Sequence, residues 1–262
     1  MPETEAERGW PAAVPAQSLL TAVYYRVAFY ACLVVFGLSC LAWSLPASLL
    51  YPLLRRFTWS ERLGQFGIMG GFRFAVGMMR ATGVLRVDFT ALDTLRDASG
   101  LVIAPNHPTM LDAVLLISRL PRVVCITKAT LWDNVFLGGG IRLAGYIRND
   151  APLPMIRRAA AAAQSGSQLL IFPEGSRTSH PPVDPLHRSF AVLARASRAP
   201  VQTVLIEADN AYLRKGWPLL RAPVLPLVYR IRLGDPFAAD ADPQAFVQRL
   251  EAYFRTNLPP IP

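Results

Sequence analysis

The stretch Leu101-Val102-Ile103-Ala104-Pro105-Asn106-His107-Pro108-Thr109-Met110-Leu111-Asp112 joins an apolar run to a histidine and an aspartate that stand five positions apart. The apolar run predicts a buried strand. His107 is one of three histidines in the chain, the others being His180 and His187. A histidine at the mouth of a strand can act as a general base when a nearby carboxylate fixes its tautomer and stabilises the imidazolium. We therefore interpret His107 as a candidate base and Asp112 as its partner.

The His-x4-Asp pattern is short, and alone it also fits a capping histidine followed by an aspartate at a helix N-terminus. Positions i and i+5 lie about 140° apart around a regular helix. The two side chains therefore meet only where the segment after the strand begins as a turn or a loop, although Pro108 can open a helix there. His180 and His187 are expected at the surface, without a role.

A second apolar run leads into a polar turn. Leu169–Phe172 predicts a buried strand, and it continues directly into Pro173–Thr178. A glycine-containing turn at a strand end presents backbone N–H groups, and Arg177 adds a guanidinium that binds oxyanions through two parallel hydrogen bonds. The turn therefore suits a phosphate. The alternative is a loop in which Glu174 and Arg177 pair with each other.

Together, the two segments resemble the motifs of the glycerophospholipid acyltransferase family, and specifically its 1-acylglycerol-3-phosphate acyltransferase-like branch. Asn106, His107 and Asp112 match the family motif N-H-x4-D, and Phe172–Thr178 matches F-P-E-G-[ST]-R-[ST] in full. The resemblance covers roughly residues 84–210. It implies an O-acyltransferase that moves an acyl chain from acyl-CoA or acyl-carrier protein to the hydroxyl of a lysolipid.

The resemblance also implies roles for individual residues. His107 would take the proton from the acceptor hydroxyl, Asp112 would orient His107, and a backbone N–H or Asn106 would stabilise the oxyanion. No metal ion, cofactor or covalent acyl-enzyme is expected. The residues expected to bind substrate are Asn106, Lys128, Arg148, Glu174, Gly175, Ser176 and Arg177. Among them, Glu174, Gly175 and Arg177 would hold the phosphate or other polar headgroup, and Lys128 and Arg148 are further candidates for the same anion.

Two departures from the family pattern leave the acceptor open. Gly145–Asp150 resembles the family segment G-x-I-x-x-D-R, but Ala151 stands where its arginine is expected, and Thr203 stands at the place of a motif proline. The simplest acceptor is 1-acylglycerol 3-phosphate, which would give phosphatidate. An ornithine-type lipid or a specialised polyene lipid is the alternative acceptor. A non-catalytic, membrane-bound lipid-binding protein is the alternative from another functional class.

The N-terminal part of the chain is strongly apolar. Val27–Leu54 contains no charged side chain, and about twenty apolar residues suffice to span a bilayer. A signal peptide would begin earlier and be shorter. We therefore predict a membrane anchor, as one kinked spanning helix or two half-inserted helices, with a buried core hairpin as the alternative. We expect a disordered tail over residues 1–20 and a membrane-associated helical segment over 21–83, which includes a glycine-rich helix suited to close packing.

The net charge of +9 favours an anionic lipid surface over nucleic acid, because the basic residues are scattered and do not alternate with aromatic residues. The acyl donors are cytosolic, and Arg55, Arg56 and Arg62 follow the apolar segment, in line with the positive-inside tendency. The expected location is the inner (cytoplasmic) membrane, with the catalytic domain facing the cytosol.

Strand-like and helix-like runs alternate from residue 84 onward. This alternation predicts an α/β domain over residues 84–262, with a partly parallel central sheet flanked by helices. The strand-like runs are Val84–Phe89, Leu101–Ala104, Val123–Thr127, Gln168–Phe172, Val201–Glu207 and Val228–Leu233. The helix-like runs are Leu111–Leu120, Leu153–Ala163, Pro185–Ala199 and Pro243–Leu258, and the glycine-rich helix predicted over residues 56–83 precedes them.

Overall fold

The structure is a computed structural model that describes residues 18–239 and 241–259. The disordered tail expected over residues 1–20 lies, apart from residues 18–20, outside the described residues. The domain boundary expected between residues 83 and 84 stays a prediction. It falls between the end of the second long helix, at Ala81, and the start of the first strand, at Leu85.

Seven strands in the described part of the chain form one sheet. They are β1 (Leu85–Asp88), β2 (Leu101–Pro105), β3 (Val123–Lys128), β4 (Ile147–Asn149), β5 (Gln168–Leu170), β6 (Val201–Ala208) and β7 (Leu227–Phe237). Their order across the sheet is β1-β7-β6-β2-β5-β3-β4. Neighbouring strands run parallel except β6 and β7, which are antiparallel. The partly parallel central sheet that the sequence predicts is confirmed.

Helices precede the sheet and cover both of its faces. Those in the described residues are α1 (Leu19–Leu54), α2 (Ser60–Ala81), α3 (Thr90–Asp93), α4 (Leu111–Ile117), α5 (Ala129–Trp132), α6 (Gly138–Leu143), α7 (Pro152–Gln164), α8 (Arg188–Ser197) and α9 (Pro243–Asn257).

The residues of β2 point alternately into two hydrophobic cores, one on each face of the sheet. Ile103 packs in the core that contains Leu115 of α4 and side chains of α1 and α2. Val102 and Ala104 pack in the other core, with Phe190 of α8 and side chains of α7 and α9. Successive side chains of a strand face opposite ways, so a strand buried on both faces reads as one apolar run. That is why β2 has no polar position before its end.

α1 is one continuous helix of 36 residues that runs through Pro46 and Pro52. At about 1.5 Å per residue it is roughly 54 Å long. The alternative of a buried hairpin is therefore wrong. By length and composition the helix could cross a membrane, because its most apolar window has a mean hydropathy of 2.0 and only 22% of that window is buried.

One face of α1 packs against the rest of the molecule, against the end of α2 on one side and the α/β domain on the other. The hydroxyl of Tyr24 donates a 3.0 Å hydrogen bond to the carbonyl of Thr82. Towards the other end, the hydroxyl of Ser44 lies 3.4 Å from the carbonyl of Leu137. The helix therefore lies along the domain and does not project away from it.

The glycines of α2 fall into two groups. A side chain at Gly64 would clash with the backbone of Ala144, and one at Gly67 would clash with the ring of Trp43 in α1. These two glycines allow neighbouring helices to approach closely, as the sequence predicts for the glycine-rich helix. A Cβ atom at the remaining three would meet no other atom of the described residues within 4 Å; these are Gly70, Gly71 and Gly77.

Short elements beside the site escape the sequence prediction. β4 has three residues, of which Arg148 and Asn149 are polar, so it shows no apolar run. α6 begins with the three glycines of Gly138–Gly140, a composition typical of loops. It is helical because it packs closely on α1, where a side chain at Gly139 would clash with Ser48.

Candidate active site

The two segments that carry the sequence motifs lie side by side at one edge of the sheet. β2 ends at Pro105, and its parallel neighbour β5 ends at Leu170. The carboxyl ends of parallel strands lie at the same edge of a sheet. Asn106–Asp112, which follows β2, and Phe172–Thr178, which follows β5, are therefore neighbours there. In open α/β sheets this edge is the usual position of a ligand.

His107 and Asp112 are in contact. Nδ1 of His107 lies 2.9 Å from Oδ2 of Asp112. The contact forms because α4 begins only at Leu111, so the residues between the pair are a turn. The aspartate side chain is completely buried, whereas 15% of the histidine side chain is exposed. Since the carboxylate occupies Nδ1, Nε2 is the ring nitrogen left to take a proton.

The second segment fixes His107 through both its ring and its backbone. The ring of Phe172 stacks on the imidazole, with 3.7 Å between ring centroids and 21° between planes. The backbone N–H of His107 donates to Oε1 of Glu174 at 2.7 Å. Its carbonyl accepts from the backbone N–H of Thr178 at 2.8 Å. The candidate base is therefore held by residues some seventy positions later in the chain.

Glu174 is buried and fully engaged by the protein. Its Oε2 accepts from the hydroxyl of Thr178 at 2.8 Å and from the backbone N–H of Asp184 at 2.9 Å. Burial raises the pKa of Glu174, and the hydrogen bonds from Asp184, Thr178 and His107 oppose that rise. The partners of the Glu174 carboxylate are thus two backbone N–H groups and one hydroxyl, and not Arg177. The side chain is buried in the protein.

A buried chain of hydrogen bonds supports Asp112. Thr109 donates its backbone N–H to Oδ2 at 2.8 Å and its hydroxyl to Oδ1 at 2.6 Å. The Thr109 hydroxyl also lies 2.9 Å from the hydroxyl of Tyr229. Since the threonine proton goes to the carboxylate, Tyr229 is the donor in this second bond. Burial, followed by the charge of Asp112, raises the pKa of Tyr229 well above its usual range.

Gly175, Ser176 and Arg177 form the turn after β5. Gly175 has a φ of +67°, and a Cβ there would lie 2.7 Å from the ring of His187, so the turn requires glycine. Nη1 of Arg177 donates to the carbonyls of Leu213 (2.9 Å) and Arg214 (3.1 Å). Arg177 therefore ties the connection between β6 and β7 to the turn.

Asn106 links two neighbouring strands. Its side-chain amide donates to the carbonyl of Ile206 at 2.8 Å, and its side-chain oxygen accepts from the N–H of Ile206 at 2.7 Å. The side chain is buried. Both ends of the amide are engaged with β6, so Asn106 lies at the site as a support for the strand end.

Lys128 ends β3, and Arg148 is the middle residue of the neighbouring short strand β4, farther across the sheet. Lys128 is exposed. Arg148 forms ion pairs with Asp133 at 3.0 Å and with Asp150 at 2.6 Å. Its charge is therefore already balanced by two carboxylates.

Several residues at the site carry no sequence signal of their own. Thr109 lies inside the first motif but at a variable position, and Tyr229 lies about 120 residues later. Only the fold brings them together. His180 and His187 are exposed, as predicted. Within residues 18–239 and 241–259, no group of three or more His, Cys, Asp or Glu side chains is arranged to hold a metal ion.

Comparisons with known proteins bear on the same region. A family described as acyltransferase matches residues 86–207. A comparison with curated proteins gives no match. Among solved structures, the 1-acyl-sn-glycerophosphate (LPA) acyltransferase PlsC from Thermotoga maritima is similar, with a TM-score of 0.65 and 17% sequence identity over 89% of this chain and 93% of that chain. At this level of identity the likeness establishes a common fold.

Proposed function

We propose that this chain is an acyltransferase of the family whose model matches residues 86–207, and that it moves an acyl chain from acyl-CoA or acyl-carrier protein to the hydroxyl of a lysophospholipid. The simplest acceptor is 1-acylglycerol 3-phosphate, which gives phosphatidate. The activity named for the Thermotoga maritima enzyme of similar fold supports this choice. The observation that carries the proposal is the 2.9 Å contact between Nδ1 of His107 and Oδ2 of Asp112, at the edge of the sheet where ligands of open α/β sheets usually bind.

In the proposed reaction the acceptor oxygen attacks the carbonyl carbon of the acyl thioester, and Nε2 of His107 takes the hydroxyl proton. The tetrahedral intermediate then breaks its C–S bond. An ester remains, and the thiolate leaves as a thiol with the proton that His107 carried. Asp112 keeps the proton on Nδ1 and stabilises the imidazolium. General base catalysis of this kind typically contributes about 10²–10⁴-fold.

The turn after β5 offers donors to a negatively charged oxygen. The backbone amides of Gly175 and Thr178 are engaged by the protein, whereas those of Ser176 and Arg177 donate to no other residue in the described part of the chain. Neighbouring free N–H groups in a turn form an anion-binding concavity. They can stabilise the oxyanion or the headgroup of the acceptor.

We propose that α1 lies within one leaflet of the membrane and does not cross it. Its packed face is held from Tyr24, at the end of α2, to Ser44, at the α/β domain, about 30 Å along the helix axis. That distance equals the hydrocarbon thickness of a bilayer, roughly 30 Å. A crossing helix would therefore draw the charged domain into the hydrocarbon, at high cost. The outer face carries exposed apolar side chains at helical spacing, which are Leu20, Val23, Val27, Val34, Leu38, Leu45 and Leu49.

The decisive experiment compares His107→Ala with His180→Ala in the purified full-length protein. Lipid products formed from mixed acyl thioesters and lysolipids would be identified by mass spectrometry. We expect His107→Ala to lose acyl transfer by at least about 10²-fold and to keep its fold and membrane binding. His180→Ala, which removes an exposed histidine, should keep full activity. Unchanged turnover in His107→Ala would contradict the mechanism and favour the non-catalytic, lipid-binding alternative.

A different acceptor is the second candidate. Ala151 brings no charge to the position where the family has arginine, and Arg148 is neutralised by Asp133 and Asp150. This part of the site therefore offers little to a phosphate, which favours an ornithine-type or specialised polyene acceptor. Rates with 1-acylglycerol 3-phosphate and with uncharged lysolipids distinguish the two. A strong preference for an uncharged acceptor would exclude phosphatidate synthesis.

A further inference from the structure

A cavity of about 240 Å³ opens next to the proposed base. Its walls come from three separate segments of the chain, and the lining residues are Pro108, Thr178, Ser179, Pro181, Arg214 and Lys215. Pro108 directly follows His107, and the backbone N–H of Thr178 donates to the His107 carbonyl. The cavity therefore adjoins the position where the acceptor and donor have to meet.

The two cations in this wall, Arg214 and Lys215, belong to the connection between β6 and β7. This connection starts at the carboxyl end of β6, which runs parallel to β2 and so reaches the same edge of the sheet. The two motif segments hold it in place: the carbonyl of Leu213 accepts from the backbone N–H of Met110 at 3.1 Å and from Nη1 of Arg177 at 2.9 Å. Leu213 adopts a φ of +60°, a strained conformation for leucine. The fixed backbone of this turn sets the positions of the next two residues, Arg214 and Lys215, in the cavity wall.

Arg214 and Lys215 carry charge that the described part of the chain does not balance. Nε of Arg214 is buried and has no hydrogen-bond partner among the described residues. Lys215 contacts the hydroxyl of Ser179 at 3.1 Å. Neither side chain forms an ion pair with a carboxylate within residues 18–239 and 241–259. A buried N–H without an acceptor is unfavourable. An anionic ligand at this position would supply the hydrogen-bond acceptor that Arg214 lacks among the described residues.

We propose that Arg214 and Lys215 form a phosphate subsite for a substrate of the acyltransferase reaction. Two cationic residues and Ser179 line a cavity whose lining contains no carboxylate. Asp184, which follows Ser179 and Pro181 in the chain, is already engaged by the backbone N–H groups of Ser179 and His180. Arginine and lysine together match a phosphate, one through its planar fork and one as a point charge.

The phosphate can come from either substrate. The acceptor 1-acylglycerol 3-phosphate carries a phosphate monoester, and the donor carries phosphate on its pantetheine arm. This inference rests on the proposed acyl transfer, and it places the substrate phosphate against the β6–β7 connection instead of against Arg148. An experiment can distinguish the two sources by comparing each substrate with a counterpart that lacks the phosphate.

The test uses the full-length protein in detergent, with Arg214→Gln compared with Arg221→Gln. Arg221 lies on the same connection but packs over the Trp217 ring, away from the cavity. Acceptors are 1-acylglycerol 3-phosphate and 1-acylglycerol; donors are acyl-CoA and the acyl thioester of N-acetylcysteamine. We expect Arg214→Gln to raise the KM of one phosphate-bearing substrate about 10- to 100-fold. Its phosphate-free counterpart should be unaffected, and Arg221→Gln should behave as the wild type.

A binding measurement keeps the subsite testable apart from the activity. Titration calorimetry with sn-glycerol 3-phosphate and with 4′-phosphopantetheine should show one of them binding the wild type and Arg221→Gln but not Arg214→Gln. Arg214→Lys should restore part of the binding, and Lys215→Gln should weaken it. If no ester forms under any condition, the proposed function fails while binding still decides the subsite. The subsite is overturned if neither fragment binds the wild type, or if Arg214→Gln affects substrates with and without phosphate equally.

Discussion

The backbone N–H of His107 donates a 2.7 Å hydrogen bond to Oε1 of Glu174. A residue of the second sequence motif thus holds the histidine of the first. The Thr178 amide completes the attachment by donating to the His107 carbonyl. Because both segments leave neighbouring parallel strands, the fold brings their backbones within hydrogen-bond distance. We infer that Glu174 positions the base and leaves headgroup binding to other residues.

We expect Glu174→Gln to lower kcat at least tenfold. The carboxylate accepts three hydrogen bonds, from His107, Thr178 and Asp184. A glutamine has one oxygen, and its NH₂ group would face a backbone N–H donor. Breaking such buried bonds costs about 1–3 kcal/mol and loosens the histidine. Glu251→Gln, which alters an ion pair of α9 with Arg255, is the control. Wild-type kcat in Glu174→Gln would refute the positioning role.

The same residue predicts how stability depends on pH. Burial raises the pKa of Glu174 above its ordinary value of 4.5, so the native state binds this proton more tightly than the unfolded chain. The contribution of this group to the unfolding free energy is therefore largest below 4.5 and falls as pH rises through the native pKa. Denaturant unfolding of wild type and Glu174→Gln at several pH values measures it. The unfolding free energy of the wild type minus that of the variant should decrease as pH rises from 4.5 through the native pKa of Glu174. A difference that grows with pH would mean that the hydrogen bonds outweigh burial.

Tyr229→Phe should lower kcat by a few-fold without preventing folding. Its hydroxyl donates to Thr109, which in turn donates to Asp112. Loss of this bond leaves the aspartate less firmly oriented, at a cost of about 1 kcal/mol. Tyr253→Phe is a matched control, because its hydroxyl also has one partner, the backbone N–H of Asp235, but lies away from the histidine. Equal effects of the two variants on kcat would argue that Tyr229 acts on stability alone.

The sequence predicts most of the strands because the central ones are buried on both faces and read as apolar runs. It also predicts the contact of His107 with Asp112, on the condition that a turn separates them, and α4 indeed begins at Leu111. Prediction from the sequence fails where contacts between distant parts of the chain determine the local structure. The glycines of α6 become helical against α1, and Glu174 turns inward because three backbone and hydroxyl donors meet there. Arg214 and Lys215 stand in a connection without any pattern that a single sequence displays.

The exposed apolar face of α1 predicts the effect of a charge on membrane binding. Leu38 is 59% exposed on that face, so in the proposed arrangement Leu38→Arg would place a guanidinium in the leaflet. We expect weaker binding to vesicles containing anionic lipid, by at least about tenfold, since an arginine in hydrocarbon costs roughly 2.5–3.5 kcal/mol. Val192→Arg is the control, on α8 at the opposite face of the sheet. Equal binding by wild type and Leu38→Arg in a flotation assay would exclude α1 as the membrane contact.

Two glycines of α2 predict opposite effects of the same substitution. A Cβ at Gly64 would clash with the backbone of Ala144, whereas a Cβ at Gly70 meets no other atom of the described residues within 4 Å. Gly64→Ala would force α2 away from α6, and overpacking of this kind costs about 1–3 kcal/mol. Gly70→Ala removes backbone freedom from the unfolded chain at no steric cost, which should stabilise by about 0.5–1 kcal/mol. Thermal unfolding of the two variants in the same detergent compares them. The close approach of α2 to the domain would be refuted if Gly64→Ala were as stable as Gly70→Ala.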